Sequence, residues 1–119
     1  MLGFLIVGVT IGAVVPSAIV GWLASSRRLP PNRWAGLNSQ YTQSSEERWY
    51  AVHRVLGPYL LFGSIAALAV GLAFAPFVVA GEIPDSVAAI ALTVELALLL
   101  GSTVAGSVVG TSRAKAELD

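Results

Sequence analysis

Few side chains in this sequence can handle a proton, a metal ion or a nucleophile. Glu95 is the one charge in the run from Ser86 to Gly110, and His53 is the one histidine. An ionised acid at the centre of an apolar helix costs roughly 2.5–3.5 kcal/mol on insertion scales, so such residues face protein or a cavity. Histidine ordinarily titrates near neutral pH, which makes His53 either a hydrogen-bonded interface residue or a proton-responsive one. The two fall on opposite sides of the hydrophobic layer and do not make the chain of ionisable groups that a proton or ion path uses. The sequence has no cysteine, which excludes disulfides and thiolate metal sites, and one histidine is too few for a multi-histidine metal site. It contains no P-loop, no GxGxxG after a strand, no nucleophile elbow and no HExxH. These residue types point to no catalytic, cofactor or metal site, and the expectation is a protein that is not an enzyme.

The elements that position Glu95 and His53 follow from hydropathy. The chain has 119 residues, 55% of them hydrophobic and only 12% charged, with a mean hydropathy of +0.76. Soluble domains carry about 25% charged residues, so this chain lacks the polar surface for a water-soluble globule. Three apolar runs, about residues 2–24, 59–80 and 86–110, are long enough to cross a bilayer as helices. A secretory signal peptide would place its basic residues before the first run. Here Arg27 and Arg28 follow it, and the run is too long, so it reads as a retained span. The fold class is an all-α integral membrane protein, a single membrane domain over residues 1–119. A polar connection over residues 25–58 supplies an amphipathic lead-in to the second span. All seven basic residues lie in that connection or after the third run. Lysine and arginine mark the cytoplasmic side, which predicts an outside N-terminus and a cytoplasmic connection and C-terminus in a bacterial cell membrane. Zero net charge and no basic patch with interleaved aromatics argue against nucleic acid as a partner.

Within the connection, Pro30 and Pro31 disfavour helix, and the residues up to Ser44 read as loop. Ser44 and Glu47 have capping-box spacing, with Glu46 and Glu47 at the positive end of a helix. A helix from about Ser45 places Trp49, Val52, His53 and Leu56 on one face. Trp49 and Tyr50 suit the headgroup layer, and Arg54 is expected to snorkel to phosphate headgroups. Pro58 either starts the second span or kinks a helix that began near Ser45, and Pro76 bends or ends its last turn.

The order "PPNRWAGLNSQYTQSSEERWYAVHR" resembles the SdpI family of small bacterial membrane proteins, with Pro31, Asn32, Gly36, Thr42, Ser45, Glu46, Trp49, His53 and Arg54 in register. The following "GPYLLFGSIAAL" is similar to that family's next membrane helix. Asn38 stands where the family usually has arginine, and Gln40 where proline is frequent. An asparagine amide does not supply the charged, two-pronged clamp of a guanidinium. The resemblance implies an immunity- or signalling-type membrane protein, since the family's named member confers immunity to a secreted toxin.

Helical spacing puts Ala88, Ala91, Ser102 and Gly106 on the face of Glu95, and Val94, Leu100 and Thr93 on the other. Counting inward from the outer ends brings Thr10, Gly12 and Gly71 to the depth of Glu95. A second layer about six to seven residues deeper holds Ser17, Ser64 and Ser102. Small residues at four-residue spacing, Gly8 and Gly12, Gly63, Ala67 and Gly71, Ser102, Gly106 and Gly110, are expected at helix contacts. Glu95 then either sits within a three-helix bundle, protonated or bonded to Thr10, or meets a partner subunit or a lipid. Three functions fit: an SdpI-like immunity or signalling protein that binds protein or lipid; an accessory subunit of a larger membrane complex; or a small lipid or solute carrier built on the Glu95 layer. The expected partners are the bilayer and other membrane subunits or a second copy.

Overall fold

The computed structural model describes residues 2–119. Every element is helical among them. Helix α1 (Gly3–Val9), a π-helical turn (Thr10–Val14) and α2 (Val15–Ser25) form one continuous rod. A short helix α3 (Gln40–Gln43) follows in the polar connection, then α4 (Glu46–Val79) and α5 (Asp85–Leu118). Three rods, Gly3–Ser25, Glu46–Val79 and Asp85–Leu118, are long and apolar enough to cross a membrane. Their outward faces carry Phe4, Ile11, Phe62, Leu72, Ile90 and Leu100, all exposed. Lipid is the solvent that such a perimeter tolerates. This is an all-α, multi-pass membrane protein.

The rods alternate in direction. The Leu2 amide donates to Asp85 Oδ1 at 3.2 Å, so the start of the first rod meets the start of α5. At the other end Arg48 and Arg54 of α4 pair with Asp119 and Glu117, at 3.2 and 2.8 Å. All seven basic residues therefore gather at one end of the bundle, here called the polar end. The turn between α4 and α5 closes the far end. Gly81, at φ +70°, takes the left-handed conformation, and the Gly81 and Glu82 amides bond back to Val78 and Phe77. This is the Schellman arrangement that terminates helices. The first rod ends the same way at Arg27, where φ is +58° and the Arg28 amide reaches Leu23 O at 2.8 Å.

Several boundaries differ from the sequence expectation. Pro58 does not start the second span; of its two readings, the helix that begins near Ser45 is the one found. Pro58 lies inside a single 34-residue helix that takes in the whole lead-in, as does Pro76. Packing on both sides holds α4 together across a proline that would weaken an isolated helix. The third helix runs on past Gly110 to Leu118, because Ala114 is buried beside Ala51 and Val52 and the last turn pairs with α4. The Ser44–Glu47 capping box does not form. Ser45 is the N-cap, accepting from the Arg48 amide at 3.1 Å. The reciprocal box lies one element earlier, between Ser39 and Thr42 at the start of α3.

Helix α4 is the central rod, packed against both neighbours. A Cβ placed at Gly57 would lie 2.5 Å from the Ser25 amide nitrogen, and one at Gly21 would lie 2.7 Å from the Leu61 nitrogen. Here two backbones touch with no side chain between them. Across the other face, Gly110 meets Val52 O and Gly106 meets Leu56 and Tyr59. Gly8 and Gly12 do not take part: both are exposed, with open space where a Cβ would stand. The small-residue pattern of the first rod therefore faces outward, and its packing stripe is Ile6, Thr10, Val14, Gly21 and Ala24. Gly57→Ala is expected to lower stability by about 1–3 kcal/mol, the usual range for overpacking. Gly101→Ala, into open space, should be neutral or slightly stabilising. Thermal unfolding of both variants in one detergent checks the pair.

Candidate functional site

Residues 26–45 fold back as a cap over the polar end, and the motif read from the sequence is the device that fastens it. Asn32 makes the first turn. Its Oδ1 accepts from the Trp34 and Ala35 amides at 2.8 and 2.7 Å, and its Nδ2 donates to Pro30 O at 2.8 Å. Gly36 follows with φ +89°, where a Cβ would lie 2.5 Å from His53 Nε2. Only glycine suits both the conformation and the contact. Thr42 is buried at the centre of α3. Its hydroxyl donates to Leu37 O at 2.8 Å and accepts from the Ser39 amide at 2.9 Å. Gln43 Nε2 then ties the outer strand of the loop to Asn32 O at 2.8 Å and also donates to Asn38 Oδ1.

The cap latches onto α4 through two fully buried rings. Trp49 Nε1 donates to Leu29 O at 2.8 Å, and its ring stacks on His53 with centroids 4.0 Å apart. His53 Nδ1 lies 2.7 Å from Trp49 O, a group that only accepts, so Nδ1 carries the proton. Nε2 accepts from the Leu37 amide at 2.9 Å. The ring is thus neutral, with both nitrogens used: one on its own helix, one on the cap. A second proton at Nε2 would face the Leu37 N–H donor. Of its two sequence readings, the hydrogen-bonded one describes His53 here, with a loop amide as the partner. Trp49 departs from expectation in being fully buried inside the protein, where it does not present its ring to lipid headgroups. Trp34, 94% exposed at the tip of the cap, is the outward tryptophan of this region. Arg54 pairs with Glu117 at 2.8 Å and stays largely exposed at the polar end. Pro31, Ser45 and Glu46 stay on the surface.

A model of the SdpI/YfhL protein family matches residues 28–111, more than half of the chain. This chain belongs to that family. No curated protein and no solved structure matches it. The match begins with the cap and runs through α4 and most of α5, so the latch and the intramembrane acid both lie within the family region.

That acid is fully buried. Thr10 Oγ1 lies 2.6 Å from Glu95 Oε2 and 2.7 Å from Ile6 O. A hydroxyl has one proton, and a backbone carbonyl has none to give. Both short contacts are satisfied together when Thr10 donates to Ile6 O and a protonated Glu95 donates to Thr10. Glu95 Oε1 has no partner, which is far cheaper for the carbonyl oxygen of a neutral acid than for a carboxylate. Gly71 makes the room: a Cβ there would lie 2.8 Å from Oε2. The π turn belongs to the same arrangement. Pro16 offers no amide to Gly12 O, and the preceding turn widens so that the Val15 amide bonds to Thr10 O, five residues back. Sequence counting found Thr10, Gly71 and Glu95 at one depth but missed the widened turn, whose one visible signal was Pro16.

The serine layer does not assemble. Ser102 donates to Leu99 O of its own helix at 3.0 Å, and Ser64 Oγ is buried with no partner. Ser17 is half-buried on the wall of a lateral cleft. Among the described residues no cluster of three or more histidine, aspartate or glutamate side chains is arranged to hold a metal.

Two substitutions test these assignments. Trp49→Ala is expected to cost about 3–5 kcal/mol, as for other buried large-to-small changes, and to release the cap. Limited proteolysis should then cut within residues 26–45, where the parent resists. Glu95→Gln should change stability by less than about 1 kcal/mol, because an amide N–H replaces the acid O–H as donor to Thr10. Thermal unfolding reads the second variant, and a much larger loss would mean that the acid is ionised.

Proposed function

We propose that this chain is a binding protein of the SdpI-like immunity or signalling type, without catalytic chemistry, and that its capped polar end is the surface it presents. The orientation we infer is an outside N-terminus with the cap and C-terminus in the cytoplasm, on the strength of seven basic residues at one end. One observation carries the reading. The latch uses Thr42, Trp49 and His53 entirely within the fold, so the cap is a fixed platform whose outward groups are different ones. These are Trp34 and a pocket of about 330 Å³ between the ends of α2, α4 and α5, lined by Arg27, Glu47, Tyr50, Arg54 and Glu117. Arg27 lies over the Tyr50 ring at 4.3 Å. An exposed tryptophan that borders the lateral cleft and a separate cluster of paired charges are groups that protein-recognition surfaces use. Glu95 lends no support to the subunit or carrier readings, because it is fully buried within one chain and its Oε2 is bonded to Thr10.

The test is complementation. Cells lacking the gene should become sensitive to a secreted toxin or lose a membrane-borne signal. Trp34→Ala should reach the membrane at parental levels yet fail to restore the phenotype, while Glu95→Gln should restore it. Full rescue by Trp34→Ala together with an Arg54→Ala change would remove the capped end as the recognition surface. A Gln40→Cys variant reports orientation independently. An impermeant thiol reagent should leave it unmodified in intact cells and modify it after permeabilisation.

A further inference from the structure

Helices α2 and α5 both pack on α4 but scarcely touch each other, and the gap between them is a lateral cleft of about 440 Å³. Its walls are Ser17 and Val20 on one side and Thr103 and Ser107 on the other, with Leu56 and Leu60 as its floor. The cap closes its polar end at Trp34–Leu37. A second hollow of about 490 Å³ continues around α5 toward the polar end, and Leu37 and Ser107 line both. This outer shelf carries Thr111, Ser112 and Lys115. We propose that the cleft and the shelf together form a binding site for one anionic glycerophospholipid of the surrounding bilayer. An acyl chain lies in the cleft and the phosphate sits over Lys115 and the shelf hydroxyls.

The chemistry changes along the site as it does along such a lipid. The cleft opens onto a perimeter of exposed Ile19, Leu100, Val104 and Val108, a height at which acyl chains are the solvent. Its volume lies in the roughly 300–1,000 Å³ range of ligand sites. At about 440 Å³ it holds no more than about one turn of a peptide helix, which is about 10–12 Å across with its side chains. The twelve residues from Thr103 to Lys115 rise about 18 Å, slightly more than one leaflet of a roughly 30 Å hydrocarbon core. A chain that reaches Thr103 therefore leaves its headgroup at Lys115. The charge at that level is uncommitted. Arg48 and Arg54 each hold a carboxylate, whereas the Lys115 ammonium makes no ion pair among the described residues and rests 5.4 Å from the Tyr41 ring centroid. Basic groups between membrane helices at the headgroup level select anionic lipids. Thr111 and Ser112 add hydroxyl donors for phosphate oxygens.

The full chain, delipidated in a neutral detergent, is examined by native mass spectrometry and thermal unfolding with phosphatidylglycerol, phosphatidylcholine or inorganic phosphate. Phosphatidylglycerol should bind one to one and raise Tm, at least roughly fivefold more tightly than phosphatidylcholine, the worth of one lysine near an anionic headgroup. Inorganic phosphate alone should do neither. Lys115→Gln, on the surface, should leave the lipid-free Tm unchanged and bring phosphatidylglycerol down to the level of phosphatidylcholine. Ser107→Phe, at the junction, should abolish binding of both lipids. Equal binding of the two lipids by the parent, or an unaltered preference in Lys115→Gln, would overturn the proposal. So would stabilisation by phosphate alone, or a lipid-free dimer that Ser107→Phe dissociates, which would give the cleft to a second copy. Trp34 also borders the cleft, so the lipid site and the proposed protein-binding role are separated by Lys115→Gln, which should lose the lipid preference and still restore the toxin phenotype.

Discussion

Backbone-to-backbone contact along α4 is the constraint on which the rest of this molecule depends. Lipid gives no hydrophobic push between helices, because acyl tails are as apolar as leucine, so close packing and internal hydrogen bonds must hold the rods together. Gly21 against Leu61 and Gly57 against Ser25 bring α2 onto α4, and Gly106 and Gly110 bring α5 onto its other side. Once α4 is held from both sides, Pro58 is tolerated inside it, and its first turns project from the apolar layer as a continuation of a membrane rod. The cap has something rigid to fasten to for that reason. The same geometry opens the lateral cleft, since two rods drawn onto a common third need not meet each other.

Polar groups inside this structure follow one rule: each short contact is satisfied by a group of the same chain. His53 donates along its own helix and accepts from the cap, which fixes its tautomer and joins two segments sixteen residues apart in sequence. Thr10 relays between an acid and a carbonyl, and the π turn next to it allows for the amide that Pro16 lacks. Ser64 Oγ and Glu95 Oε1 are the buried exceptions in the membrane layer, and both are compatible with neutral groups. The motif by which this chain resembles the SdpI family is therefore, in this chain, largely an architectural device. Its buried members build the cap, and any recognition falls to residues that the latch leaves outside.

Much of this was legible in the chain. The stripe Trp49, Val52, His53 and Leu56 was readable because helical spacing alone selects it, and all four side chains are buried. The depth match of Thr10, Gly71 and Glu95 was readable because antiparallel rods of known rise bring equal counts together. The role of Trp49 was not, since a tryptophan near an interface serves equally well outside or inside. Whether residues 26–39 cover it depends on Asn32 and Gly36 turning the loop back. Gly8 and Gly12 show the same limit from the other direction: small residues permit contact, and a partner at that height must exist to make it.

By itself the sequence determined three membrane-crossing rods, a polar end that collects every basic residue, and one acid that had to be sheltered. Hydropathy, helical period and charge are local properties, summed over a few turns. Only the tertiary structure decided which face of each rod turns inward, that α4 is continuous through Pro58, that His53 and Trp49 clasp the cap, and that α2 and α5 part to leave a cleft. Those outcomes depend on the distance between two backbones, which is set jointly by small residues on separate helices and is written in neither helix alone.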